Sequence, residues 1–151
     1  MPKAIPDEYR TITPYLSLRD AQTAIEFYKL ALGATELYRL PMPDGKLAHA
    51  ELQVGGGRLM VSDEMPDWGN KGALTVGGSP VGLFVYVEDV DAQAARFVAA
   101  GGKQLRPVED QFYGDRMGQF EDPEGYTWTL AQHVEDVTPE EMMTRMAKMF
   151  G

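Results

Sequence analysis

Hydrophobic and polar positions along the chain fall into a repeating order of strand-like and helix-like patterns. Residues 11–18, TITPYLSL, alternate and are rich in β-formers, and Pro14 suits an edge strand or a strand start. Over 21–32, Ala24, Ile25, Phe27, Tyr28, Ala31 and Leu32 recur at helical spacing. Asp20 stands where an N-cap belongs, and Gly33 where a left-handed residue ends a helix. Strands are then predicted at 35–41, 47–54 and 58–63, separated by a Pro-Asp-Gly turn and by Gly55–Gly57. The segment 64–80 reads as a loop, long enough to suggest function or mobility. The order then restarts. A strand is predicted at 81–87, and a helix capped by Asp89 or Asp91 runs through Ala100 to Gly101-Gly102. Further strands are predicted near 103–107 and at 116–122 and 126–132, the last two around Pro123–Gly125.

The restart has a register. A shift of 69 residues, the spacing from Asp20 to Asp89, also places Ala31 on Ala100, Gly33 on Gly102, Gly45 on Gly114 and Gly56 on Gly125. The coincident residues are a helix cap, a helix-ending glycine and turn glycines, the punctuation of a βαβββ unit. The chain therefore divides into an arm (1–10), a first module (11–63), a linker loop (64–80), a second module (81–132) and a helical tail (133–151). In the tail, Thr138-Pro139-Glu140-Glu141 fits a capped helix start, and Met142, Met143, Met146, Met149 and Phe150 form one apolar stripe. Such a stripe is expected to dock on its own module or on a dimer mate.

Composition narrows the functions. The 151 residues carry 14 Lys+Arg against 23 Asp+Glu, a formal charge of −9, which disfavours nucleic acid and anionic lipid as partners. There is no cysteine, so thiolate metal sites and thiol nucleophiles are excluded. No apolar stretch is long enough to span a membrane, and the first residues lack the apolar core of a signal peptide. The expectation is a cytoplasmic domain that acts on a small molecule or on another protein.

The paired βαβββ pattern, with SLRDAQTAIEFYKLALGA in one half and VYVEDVDAQAARFVAAGG and FEDPEGYTWTLAQ in the other, resembles the vicinal oxygen chelate superfamily. That superfamily includes glyoxalase I, extradiol dioxygenases and bleomycin-binding proteins. ITPYLSLRDA, AHAEL, DQFYGDRMG and HVEDVTPEEM are similar more narrowly to its PhnB-like, glyoxalase-related branch. The resemblance implies an α+β fold in which two βαβββ modules form a curved mixed sheet around a cavity, with a C-terminal helix added, and it implies a homodimer. It is specific for fold and weak for reaction.

Metal-dependent members hold a divalent ion on one residue at the start of the first strand and one on the last strand of each module. The matching positions here are Thr13, Met60, Gly82 and Thr129. Threonine hydroxyls are weak donors, methionine suits soft metals and glycine has no side chain, so no cofactor is expected there. A metal site moved to His49 and Glu51 lacks a third ligand that can be named.

Strand alternation assigns the cavity wall. In 47–54, Leu47, His49, Glu51 and Gln53 are expected on the open face. Elsewhere that face takes Thr13, Tyr15 and Ser17; Met60 and Ser62; Gly82, Phe84 and Tyr86; Thr127, Thr129 and Ala131; and, from the glycine match, Arg116, Gly118 and Phe120. His49 and Glu51, about 6.5–7 Å apart along the strand, are candidate acid/base residues, the alternative being a hydrogen-bonded polar lining. Arg116 can pair with a substrate carboxylate or phosphate, or with a surface aspartate. Tyr15, Ser62, Phe84, Tyr86, Tyr113 and Phe120 are candidate ligand contacts. Trp68 suits a lid or a dimer contact, and His133 a residue flanking the last strand. Three readings follow: a metal-free ligand-binding protein of unspecified reaction, a metal-dependent lyase, isomerase or dioxygenase, and a binding protein that sequesters an antibiotic.

Overall fold

The computed structural model describes residues 1–151. It contains two four-stranded mixed sheets, each with one long helix between its first and second strands in the chain. The first sheet is built from β1 (Tyr15–Leu18), β2 (Thr35–Pro41), β3 (Leu47–Val54) and β4 (Gly57–Asp63), in the order β1-β4-β3-β2. Helix α1 (Ala21–Leu32) crosses over from β1. A short helix α2 (Ala73–Val76) then interrupts the connecting segment. The second sheet has β5 (Leu83–Tyr86), β6 (Lys103–Asp110), β7 (Asp115–Glu121) and β8 (Thr127–His133), in the order β5-β8-β7-β6, with α3 (Val90–Ala99) following β5. In each sheet the first and last strands pair in parallel, and the other pairs are antiparallel. Helix α4 (Pro139–Phe150) ends the chain. The architecture is the α+β arrangement expected, with β1 and β5 shorter and β6 longer than the pattern predicted. No helix is long and apolar enough to cross a membrane.

The helices form for local reasons. Asp20 accepts the backbone N–H of Thr23 at 3.2 Å, and Asp89 accepts that of Ala92 at 3.1 Å, each satisfying a donor the first helical turn leaves unpaired. Thr138 caps α4 through the N–H of Glu141 at 3.2 Å. Ile25, Tyr28 and Ala31 of α1 and Val90 and Phe97 of α3 are fully buried. With Leu18, Leu52, Val61, Phe120, Trp128 and Leu130 they belong to a single core shared by both modules. Burying each valine, leucine, isoleucine or phenylalanine of this set contributes about 1.5–3 kcal/mol.

The modules meet helix to helix. Phe27 and Phe97 pack edge-to-face with ring centroids 5.1 Å apart. The β7–β8 turn reaches across to the first module. Asp122 accepts the hydroxyl of Tyr28 at 2.6 Å and the indole N–H of Trp128 at 2.9 Å. Glu124 accepts the backbone N–H groups of Arg19 and Asp20 at 2.7 and 3.0 Å. The sequence pattern ends a strand on Asp122 and makes Pro123–Gly125 only a turn; the carboxylates of Asp122 and Glu124 tie the modules together.

Register corrects the expected faces. In β2–β3, Leu40 lies opposite His49 but Pro41 opposite Leu47, so Ala48 is an extra residue, a β-bulge. Past the bulge the alternation of β3 is broken, and Leu47, expected on the open face, is 1% exposed in the core. The bulge also breaks the 69-residue register between β3 and β7. Glu51 lies opposite Met60, whereas Gln119, not Phe120, lies opposite Thr129. One residue of slip turns a strand over. Phe120, expected as a ligand contact, is therefore fully buried against Phe97 at 5.4 Å. Arg116 and Gly118 turn to the helix side with it. The helix ends slip too: the left-handed glycine after α1 is Gly33 (φ 66), but after α3 it is Gly101 (φ 119) rather than Gly102.

Candidate functional site

Paired residues of neighbouring strands project to the same side of a sheet. Tyr15, Met60, Glu51 and Tyr38 thus form one row across the open face of the first sheet. In the second sheet the matching row is Phe84, Thr129, Gln119 and Arg106. Tyr15, Tyr38, Phe84 and Tyr86 are each about half exposed on these faces.

The first face holds a connected polar cluster. The Tyr15 hydroxyl lies 2.6 Å from Nδ1 of His49, and Nε2 of His49 lies 3.1 Å from Oε2 of Glu51. Glu51 is 5% exposed although it points away from the core. Its cover is the N-terminal arm, where a single 3-10 turn, Asp7–Tyr9, brings the Tyr9 hydroxyl onto Oε1. The Tyr38 hydroxyl donates to Oε2 from the other side. Arg58 lies over the Tyr9 ring at 5.8 Å. The His49 ring sits between those of Tyr15 and Tyr38, at 5.3 and 5.8 Å. Burial holds the His49 imidazole below its ordinary pKa, which keeps it neutral. The hydrogen bond to Glu51 raises the Tyr9 phenol.

This network assigns the protons. Both tyrosines can only donate to the carboxylate, and a carboxylate only accepts, so Nε2 carries the hydrogen of His49. Nδ1 is then left with its lone pair, which accepts from Tyr15. The cluster was half legible in the sequence. Strand alternation found Tyr15, His49 and Glu51. Tyr38 followed from the same parity on 35–41, which was read only as a strand, and Tyr9 lay in a segment read as an arm.

The second face is built differently. The Tyr86 hydroxyl donates to Asp115 at 2.8 Å, and His133 bridges Asp115 at 2.9 Å and Asp136 at 2.8 Å. His133 is exposed, and its hydrogen bonds to Asp115 and then Asp136 raise its pKa. Tyr113, expected as a ligand contact, points its hydroxyl at the sulfur of Met117 at 2.7 Å and borders a cavity of about 190 Å³ beside Gln119. Ser62 is buried and accepts from Asn70 at 3.2 Å. Arg116, expected to meet a substrate anion, pairs with Asp91 at 2.9 Å and Asp110 at 3.1 Å on the helix side. Trp68 is exposed at the end of a 3-10 turn. A cleft of about 730 Å³ lies at the seam between the modules, lined by Leu32, Val54, Val85, Tyr86, Gln93 and His133 among others. Of the open-face aromatics only Tyr86 lines it, and the His49 cluster does not, so its size does not by itself make it the chemical centre.

The metal positions can be tested on their donors. Met60 lies beside Tyr15, Thr129 beside Phe84, and Thr13 and Gly82 precede β1 and β5. None is a carboxylate or imidazole. Both nitrogens of His49 are engaged, and no group of three or more His, Cys, Asp or Glu gathers in an arrangement that holds a metal. These residues do not fit a hard divalent ion.

Two βαβββ modules, each with a crossover helix behind and an open, partly aromatic sheet face in front, define a class of two-module α+β folds. The comparisons carry this further. Residues 12–130 match the model of the Glyoxalase/Bleomycin resistance protein/Dioxygenase superfamily, and the chain belongs to that family. An uncharacterized protein of Mycobacterium tuberculosis strain H37Rv is 40% identical over 139 residues, covering 90% of this chain and 82% of that protein. Among solved structures, TioX from Micromonospora sp. ML1 is 29% identical with a TM-score of 0.65, over 82% of this chain and 98% of TioX. A glyoxalase-related enzyme from Fulvimarina pelagi is 26% identical with a TM-score of 0.65, over 82% and 87%.

Proposed function

We propose that this chain binds a small organic ligand against its open sheet faces, without the divalent metal that other members of the superfamily use, and that a second copy completes the cavity. One observation carries the reading: Tyr15, Tyr38, Phe84 and Tyr86 stand half exposed on faces that the contact between modules leaves uncovered. Aromatic rings with a few directed polar groups are the usual wall of a small-molecule pocket. Within one chain the modules join through α1 and α3, and no strand of one sheet pairs with the other. A cavity walled by both faces therefore calls for the first face of one protomer and the second face of its partner. The donor set at Thr13, Met60, Gly82 and Thr129 supports metal-free binding.

A thermal-shift screen of aromatic small molecules tests the ligand reading. Hits are expected to lose affinity in Phe84→Ala and Tyr86→Ala, and hits insensitive to both substitutions would overturn it. Light scattering is expected to give about twice the 16.7 kDa chain mass. Metal analysis of the purified protein is expected to find no stoichiometric nickel, zinc, manganese or iron, and one tightly bound ion per chain would refute the metal-free part.

A further inference from the structure

We infer that Tyr15, His49 and Glu51 form a hydrogen-bond relay whose open end only accepts, which makes the first face a site for a flat, conjugated ligand with a hydroxyl to donate, a phenol or an enol. The inference rests on the ligand-binding reading and names the chemistry of that site.

The argument starts from a spent proton. A phenol has one hydrogen to donate. That of Tyr15 points at Nδ1 of His49, 2.6 Å away, because Nε2 already carries its hydrogen toward Glu51. The oxygen of the half-exposed Tyr15 therefore offers only lone pairs to the open face, and it selects a ligand group that donates. Behind it stands an imidazole kept neutral by burial and backed by a carboxylate. That carboxylate is held in place by Tyr9 and Tyr38. Arg58 lies over the Tyr9 ring, 5.8 Å from its centroid.

No bond breaks on binding. The ligand O–H donates to the Tyr15 oxygen, whose own hydrogen stays directed at Nδ1 of His49, and burial, which disfavours the imidazolium, leaves the proton on the ligand. The ligand stays neutral, and a chain with a formal charge of −9 does not repel it. The rings of Tyr15 and Tyr38 supply the flat surface for a conjugated ligand. Tyr15 is the residue that touches the ligand, and His49 and Glu51 act through it as positioning residues.

The probe is para-nitrophenol, whose colour reports its ionisation, with para-nitroanisole as the analogue that has no proton to give. Below the probe's own pKa, wild-type protein is expected to bind para-nitrophenol, still protonated and colourless, about fivefold more tightly than para-nitroanisole, the net gain of one hydrogen bond. Tyr15→Phe is expected to erase that difference and to change para-nitroanisole binding little. If both probes bind wild-type protein equally, or if Tyr15→Phe leaves the difference, the relay is wrong and the ligand-binding reading stands. If neither probe binds, both are overturned. Nitrogen-15 spectra of histidine-labelled wild-type protein check the relay without a variant: His49 is expected to show a protonated Nε2 and a bare Nδ1, and the opposite tautomer would refute it.

Discussion

The two open faces come from the same strand order and each carries aromatic rings and a histidine with a carboxylate partner, yet their histidines behave oppositely. On the first face His49 is held between Tyr15 and the buried Glu51, and burial lowers its pKa. On the second, His133 lies in solvent between Asp115 and Asp136, whose hydrogen bonds raise its pKa. Both histidines have carboxylate partners. What separates them is cover: the arm turn Asp7–Tyr9 lies over the first cluster, and nothing lies over His133. A carboxylate beside an imidazole therefore does not set its charge unless exposure is known as well.

The largest test of the comparison concerns the strand that turned over. Phe84 and Phe120 were both expected on the open face of the second sheet. Phe120→Ala is expected to cost about 3–5 kcal/mol in urea unfolding, as a core truncation. Phe84→Ala is expected to cost under about 1 kcal/mol, as a surface change. Equal costs would mean that the two residues share a face. Next in size, Glu51→Ala removes the acceptor of three donors and is expected to cost about 1–3 kcal/mol. It is also expected to free the arm, so limited proteolysis should cut before residue 11 in Glu51→Ala but not in Asp115→Ala, whose partners lie on the other sheet.

The smallest effect is the pH dependence, and its sign differs between the faces. His49 has a folded pKa below the ordinary 6.5, so the unfolded chain takes up its proton first. Its stabilising effect is lost as pH falls from 6.5 through the folded value. His133 has a folded pKa above 6.5, so its contribution is complete below 6.5 and is lost as pH rises through the folded value. Histidine titration by NMR should give the lower midpoint to His49 and the higher to His133. His49→Gln should flatten the acid side of a stability–pH curve, and His133→Gln the neutral side.

Much of this was legible along the chain. Asp20, Asp89 and Thr138 announced their helices, and hydrophobic period separated α1 and α3 from the strands around them. Tyr15, His49 and Glu51 were found together because alternation holds between the bulge and the end of β3. Other residues were hidden for definite reasons. Arg116 and Phe120 were assigned by carrying the 69-residue register across a bulge that no residue type marks. Tyr9 joins Glu51 across a separation of 42 residues, and Glu124 joins Asp20 across 104. Such contacts depend on how far the chain has turned, not on local pattern.

Caps, periods and turns are interactions within a few residues, so the sequence alone determined the elements, their order and the repeated βαβββ plan. Which side of β7 faces the core, which carboxylate is covered and which proton His49 holds were decided only by the tertiary structure. Side-chain direction in a strand has a period of two, so the single extra residue at Ala48 reverses the correspondence between modules. Burial, which sets the charge of a histidine, exists only once the arm has folded over the sheet.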